Sequence, residues 1–144
     1  MTLLGPVLIV SLLPGIVARP MLEQPGPLFR HLPINIQGRV MVPLDSLAKW
    51  LGVKVKVEKD LIAAGADLSR PRIVMLIGRE EARLEGKPWS VSPAPLRRGE
   101  TIFVPLRQFA ECFGAWVTSE GRTIRLAVPQ KGLAAEMAAP PAPT

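Results

Sequence analysis

The sequence predicts an α+β fold: a mainly antiparallel, meandering sheet with two short helices on one face, built from two pseudo-symmetric strand–helix–strand repeats. Three observations point there. A stretch of sixteen residues recurs at an offset of 62 residues. Each copy runs from a β-branched segment through proline into an amphipathic segment that stops at glycine. Short apolar runs broken by turn residues fill the interval between the copies.

The first residues are set apart from this pattern. From Leu3 to Ala18 the chain carries no charge. The run falls short of the roughly 20 apolar residues that span a bilayer, and Pro6, Pro14, Gly5 and Gly15 oppose a long helix. Its length suits the apolar core of a secretory signal, with Ile16-Val17-Ala18 as a cleavage site, although no Lys or Arg precedes it. Residues 1–18 are therefore expected to be a signal sequence, the alternative being a buried N-terminal strand such as Val7 to Val10, and no transmembrane span is expected in the mature chain. Residues 19–33, proline-rich from Met21 onward, read as a linker, and 34–128 as the folded domain. From Pro129 to Thr144, alanine and proline without apolar periodicity read as a disordered tail.

The repeats occupy 34–64 and 96–128. Val40 to Val55 aligns with Ile102 to Val117, and six of the sixteen pairs are identical: Val42/Val104, Pro43/Pro105, Leu44/Leu106, Ala48/Ala110, Gly52/Gly114 and Val55/Val117. Chance would give about one. Valine-rich residues before each proline favour a strand, and proline excludes its predecessor from the helical region. Proline is then tolerated as the first helical residue, where a missing N–H costs nothing. Leu44, Leu47, Ala48 and Leu51 recur at helical spacing, as do Leu106, Phe109, Ala110 and Phe113. Gly52 and Gly114 stand where a helix closes in the left-handed conformation. Val53 to Val57 and Ala115 to Val117 then return as strands. Between the copies Arg72 to Ile77, Ala82 to Leu84 and Trp89 to Val91 read as strands within 72–91, with turns at Gly78 and Gly86-Lys87-Pro88. Glu120-Gly121-Arg122 turns into a last strand, Thr123 to Val128.

Composition removes most chemistry. The chain has one cysteine, one histidine and no tyrosine, so an internal disulfide, a cysteine cage and most nucleophile–base pairs are unavailable to it. Cys112 falls on the flank of an apolar helical face and reads as a packed thiol. His31 lies in the linker, Asp45 and Glu111 fall on different helices, and neither a dinucleotide fingerprint nor a phosphate loop is present. No catalytic residue, cofactor or metal site is expected. The net charge of +6 calls for an anionic partner. Yet the basic residues are interleaved with Glu80, Glu81, Glu85 and Glu100 rather than gathered, which makes nucleic acid an unlikely one.

Taken together, these residues resemble the copper amine oxidase N-terminal-like, or stalk, domain family over roughly 36–128. The resemblance rests on Val104-Pro105-Leu106-Arg107, the degenerate Val42-Pro43-Leu44-Asp45, a helix closing on glycine, and the Gly86-Lys87 turn about 20 residues ahead of the second copy. Asp45 replaces the first arginine, Glu85 stands where asparagine is usual, and Val57 and Ser119 where tryptophan is common. The resemblance implies a non-catalytic extracytoplasmic domain of bacteria, found as a projecting stalk or beside cell-wall hydrolases and surface proteins. It does not imply oxidase chemistry, which in that class needs three histidines and a tyrosine.

One binding surface is expected from strand alternation. Val40, Val42, Ile102 and Val104 face one way, Met41 and Phe103 the other; Val55 and Val117 face inward, Lys54, Lys56 and Trp116 outward. If helices cover one sheet face only, Met41, Phe103, Trp116, Lys54 and Lys56 share the open one, where aromatics beside cations suit a glycan or a protein. The expected function is a secreted or cell-envelope structural and interaction module whose partner is a cell-wall polymer or an envelope protein. The alternatives are a basic nucleic-acid-binding protein and the detached targeting module of a cell-wall hydrolase.

Overall fold

The computed structural model describes residues 22–24 and 33–141. The expected signal sequence lies outside the described residues, and the linker does apart from Leu22–Gln24 (β1) and Pro33. The strands form three sheets rather than one meander, with two helices.

The first sheet is built where the two copies meet. Strands β2 (Ile34–Ile36), β3 (Arg39–Pro43), β9 (Leu96–Arg98) and β10 (Thr101–Pro105) run in the order β2-β3-β10-β9. Gln37 and Gly38, both at positive φ, close the β2–β3 hairpin, and the Asn35 side chain accepts the Gly38 N–H at 2.9 Å. β3 and β10 pair antiparallel with Val42 opposite Val104, Met41 opposite Pro105 and Pro43 opposite Phe103. Each strand runs directly into a helix: α1 (Leu44–Leu51) after β3, and α2 (Leu106–Glu111) after β10.

Pro43 and Pro105 sit one residue earlier than the sequence reading placed them. Both are helix N-caps in extended conformation, at φ −60° ψ 129° and φ −62° ψ 124°. A proline ring fixes φ near −65°, which serves a strand and a helix equally, so only ψ has to change at Leu44 and Leu106. α1 buries Leu44, Leu47, Ala48, Trp50 and Leu51, and α2 buries Leu106, Phe109 and Ala110. α1 closes on Gly52 in the left-handed conformation and α2, two residues shorter, on Cys112 in the right-handed one, but the chain leaves both through matching bonds. Val53 N–H donates to the Ala48 carbonyl at 3.0 Å and Gly52 N–H to Lys49 at 3.2 Å; Ala115 N–H donates to Ala110 at 3.1 Å and Gly114 N–H to Glu111 at 3.2 Å.

After α1 the chain enters a five-stranded meander, β4 (Lys54–Glu58), β5 (Leu61–Gly65), β6 (Ile73–Leu76), β7 (Glu81–Leu84) and β8 (Lys87–Ser90), in sequence order. After α2 it enters β11 (Trp116–Glu120) and β12 (Thr123–Val128). The single sheet expected from sequence is divided because each helix carries the chain away from the ladder it has just left. The Gln108 side chain ties α2 to the end of the meander, accepting the Ser92 N–H at 2.8 Å and donating to the Ser90 carbonyl at 3.1 Å.

The tail expectation is corrected for residues 129–138. A short 3-10 turn, Pro129–Lys131, leads to β13 (Leu133–Ala138), which pairs antiparallel with β12 along its length and parallel with β1. The sheet order is β1-β13-β12-β11. Alternation decides it: Ala135 and Met137 turn into the core while Glu136 faces out, an apolar stripe too small in side-chain volume to stand out in sequence. The turn also brings Lys131 to α1, where its Nζ donates to the Leu51 carbonyl and satisfies an orphan group of the helix end.

One contiguous core joins the helices, Ile62, Ile73 and Met75 of the meander, and Ile124, Leu126, Ala135 and Met137. Met137→Ala is expected to cost about 2 kcal/mol, from lost burial and the cavity left, read as a lower urea midpoint. An unchanged midpoint would mean that β13 does not dock. Gly52 adopts φ 79°, and a Cβ added there would lie 3.0 Å from Lys131 Nζ. Gly52→Ala should therefore destabilise by about 1 kcal/mol or more, and by more than Gly38→Ala in thermal unfolding, because Gly38, at φ 81°, shares the backbone strain while its added Cβ meets nothing within 4 Å.

Candidate functional site

Strand alternation decides where each expected site residue stands. β11 is an edge strand, and its register sets Trp116 beside Ala127 of β12, which in turn pairs with Ala134 of β13. Opposite residues of a ladder share a face. The ring of Trp116 therefore stands over small neighbours, and it is 67% exposed. Beside it on the same face run Thr118, Arg125 and Glu136. Arg125 is bracketed by two carboxylates, Glu136 at 2.9 Å and Glu120 at 3.7 Å. The result is an aromatic platform next to a fixed ionic row.

Met41 and Phe103 do not join it. They are 0% and 5% exposed, which overturns the expectation that they occupy an open face. Their strands lie in the interior of a four-stranded sheet, where Met41 faces Pro105 and Ile34, and Phe103 faces Pro43 and Leu96. Those apolar partners make the second face of the ladder a packed layer. Lys54 and Lys56 are exposed as expected, but on β4, the edge of the five-stranded sheet, away from the sheet of Trp116. Lys56 lies 3.9 Å from Glu58. Of the expected face, Trp116 alone presents an exposed aromatic.

The proline motif residues have structural roles. Val42, Leu44, Val104 and Leu106 are core, Pro43 and Pro105 start the helices, and Gly52 and Gly114 turn the chain at positive φ. Arg107 differs. Its guanidinium donates to the Val117 carbonyl at 2.7 Å and lies 3.4 Å from Glu111. It borders a cleft of about 360 Å³ shared with Arg39, Val40, Val117, Ser119 and Ile124. Nothing in the linear sequence brings Arg39 to Arg107; the β3–β10 pairing does. A shallower hollow of about 450 Å³ is lined by Arg79, Glu80, Glu81 and Trp89, where the Ser92 hydroxyl reaches Glu80 at 3.2 Å.

Cys112 is half-buried, and burial raises its thiol to about 11, with the Arg72 cation opposing the shift in part. Arg72 itself is occupied, its Nε donating to the Cys112 carbonyl at 2.6 Å and its Nη1 to Glu85 at 2.9 Å. Among the described residues no three His, Cys, Asp or Glu side chains gather to hold a metal, and no helix is long and apolar enough to cross a membrane. His31 lies outside the described residues.

Comparison with protein families gives one decisive result. The copper amine oxidase N-terminal domain family matches residues 26–128. The chain belongs to that family. The matched region starts ahead of β2 and ends with β12, so β13 completes the Trp116 sheet from beyond the matched span. Copper amine oxidase N-terminal domains are in general non-catalytic modules. Neither the curated proteins nor the solved structures yield a match.

At pH 8 native Cys112 should alkylate with iodoacetamide on the order of a hundredfold more slowly than in the unfolded chain, because the thiolate is the reacting form. The rate should climb tenfold per pH unit toward about 11. A plateau near pH 8 would show an activated thiol and reopen nucleophilic chemistry.

Proposed function

We propose that this chain is a non-catalytic, extracytoplasmic spacer and interaction module that holds cell-wall glycan on its Trp116 face. The observation that carries the reading is the exposure of Trp116, 67%, on a sheet face beside Ala127 and Ala134. A large aromatic left in water on one face of an otherwise packed domain suits the apolar face of a sugar ring, with Thr118 and the Arg125–Glu136 pair able to meet its hydroxyls. Membership of the copper amine oxidase N-terminal domain family supports a module rather than an enzyme. The uncharged run over 3–18 supports export, with 1–18 removed as a signal sequence.

The same reading holds the domain to be a duplicated strand–helix–strand unit. Support comes from the helix closures: the donor–acceptor pairs Val53–Ala48 and Gly52–Lys49 become Ala115–Ala110 and Gly114–Glu111 on adding 62 to each number. Two equivalent units paired at their strands give a stiff body suited to a spacer.

Co-sedimentation with isolated peptidoglycan tests the glycan reading. The chain should pellet with the wall, and Trp116→Ala should reduce the bound fraction on the order of tenfold while leaving thermal unfolding unchanged, since the ring packs little. Equal pelleting of both proteins would sink the proposal.

A further inference from the structure

Sheet edges in this protein are guarded unequally. β4 carries Lys54 and Lys56, β8 carries Pro88, and β9 carries Arg97 and Arg98, all devices that discourage another chain from adding to an edge. β11, with the sequence WVTSE, has no lysine, arginine or proline, nor has the edge strand β2 (INI), which is only three residues long. Its outward backbone groups can be assigned. Residues of an antiparallel strand direct N–H and C=O alternately toward and away from the neighbour. The Val117 carbonyl accepts the Arg107 guanidinium rather than a β12 group, so Val117 and Ser119 are the residues turned away from β12. The Val117 N–H and both backbone groups of Ser119 bond to no other element among the described residues.

Those groups open into the 360 Å³ cleft, a size at the lower end of the roughly 300–1,000 Å³ usual for ligand clefts. The half-buried Val40 and the buried Ile124 line it together with Arg39 and Arg107. Arg39 meets no carboxylate within ion-pair distance among the described residues, so its charge is uncompensated there.

We infer that this cleft is a strand-addition site: an extended segment of a partner protein, alternating apolar and acidic residues, pairs with the β11 edge. Its backbone bonds the Ser119 N–H and carbonyl and the Val117 N–H. Its apolar side chains rest on Val40 and its carboxylates meet Arg39, while Arg107 stays with Val117 and Glu111. Main-chain bonds supply affinity, and the alternate side chains supply selection. A saccharide fits this cleft poorly, because no aromatic ring lines it.

A fluorescein-labelled peptide alternating valine and glutamate, as long as the five residues of β11, provides the probe. Fluorescence polarisation with the full chain should show saturable binding below about 1 mM. Replacing the glutamates by lysines should abolish it, and methylating the alternate backbone nitrogens that face β11 should weaken it on the order of tenfold, since each removes a donor. Arg39→Glu should weaken binding by a similar factor and Arg39→Lys restore most of it, with urea midpoints confirming that both variants fold. Equal binding of the lysine peptide, indifference to backbone methylation, or no binding at about 1 mM would each overturn the inference. So would displacement of the probe by an oligonucleotide but not by unlabelled glutamate peptide, which would assign the arginines to a phosphate backbone instead.

Discussion

Val42 and Val104 face one another across the β3–β10 ladder, and the rest of the fold is arranged around that pair. The register is symmetrical about it, since each strand places its proline opposite the residue that precedes valine in the other. Proline has no N–H to give to the ladder, so pairing ends where the helices begin. α1 and α2 both pack across β3 and β10, so one face of the ladder is covered by the helices and their leucines. The chain then leaves each helix into a different sheet. A shift of register by one residue would turn both valines out of the core and separate the two helices.

This geometry explains which parts of the fold were legible in the sequence. Strand, proline, helix and glycine follow one another with local causes: restricted φ at proline, helical spacing of leucine and alanine, and positive φ at Gly52 and Gly114. The division into three sheets has no local cause. It depends on where each helix delivers the chain, a tertiary matter. β13 was hidden for another reason. Alanine contributes little to an apolar stripe, so Ala135 and Met137 alternating with Glu136 look like low-complexity tail until β12 is present to pair with them. Met41 and Phe103 face opposite to Val42 and Val104, as alternation requires, but that face is packed as well. Alternation separates two faces of a strand without telling which of them meets water. Arg39 carries no signal in the sequence, because Arg107, with which it lines the cleft, is distant along the chain and brought near only through the ladder.

Charge is the clearest case in which a bulk number misleads. The net charge of +6 invites an acidic polymer, yet several of the cations are engaged locally. Arg72 is held by Glu85 and the Cys112 carbonyl, Arg97 by the Lys59 carbonyl, Arg125 by two glutamates, and Lys131 by the end of α1. These exposed pairs add little to stability. Their effect is on geometry, because each fixes a side chain that would otherwise sweep the surface. Other cations stand apart from one another: Lys54 on β4 in the five-stranded sheet, and Arg39 and Arg98 on β3 and β9, which β10 separates in the four-stranded one. Such a distribution has no continuous stripe for a phosphate backbone to follow.

β11 joins the two proposed surfaces, and strand geometry accounts for it. Successive side chains of a strand point to opposite faces, so Trp116 and Thr118 belong to the exposed face while Val117 and Ser119 line the cleft. A five-residue edge strand can thus offer an aromatic platform on one side and a row of backbone donors and acceptors along its rim. Rigidity is what makes both usable. The strand is anchored through β12 to β13, through Arg107 to α2, and through Val117 to the core. A domain of this kind needs no catalytic group to be specific, because recognition rests on how firmly one strand is held and on which of its groups the fold has left unpaired.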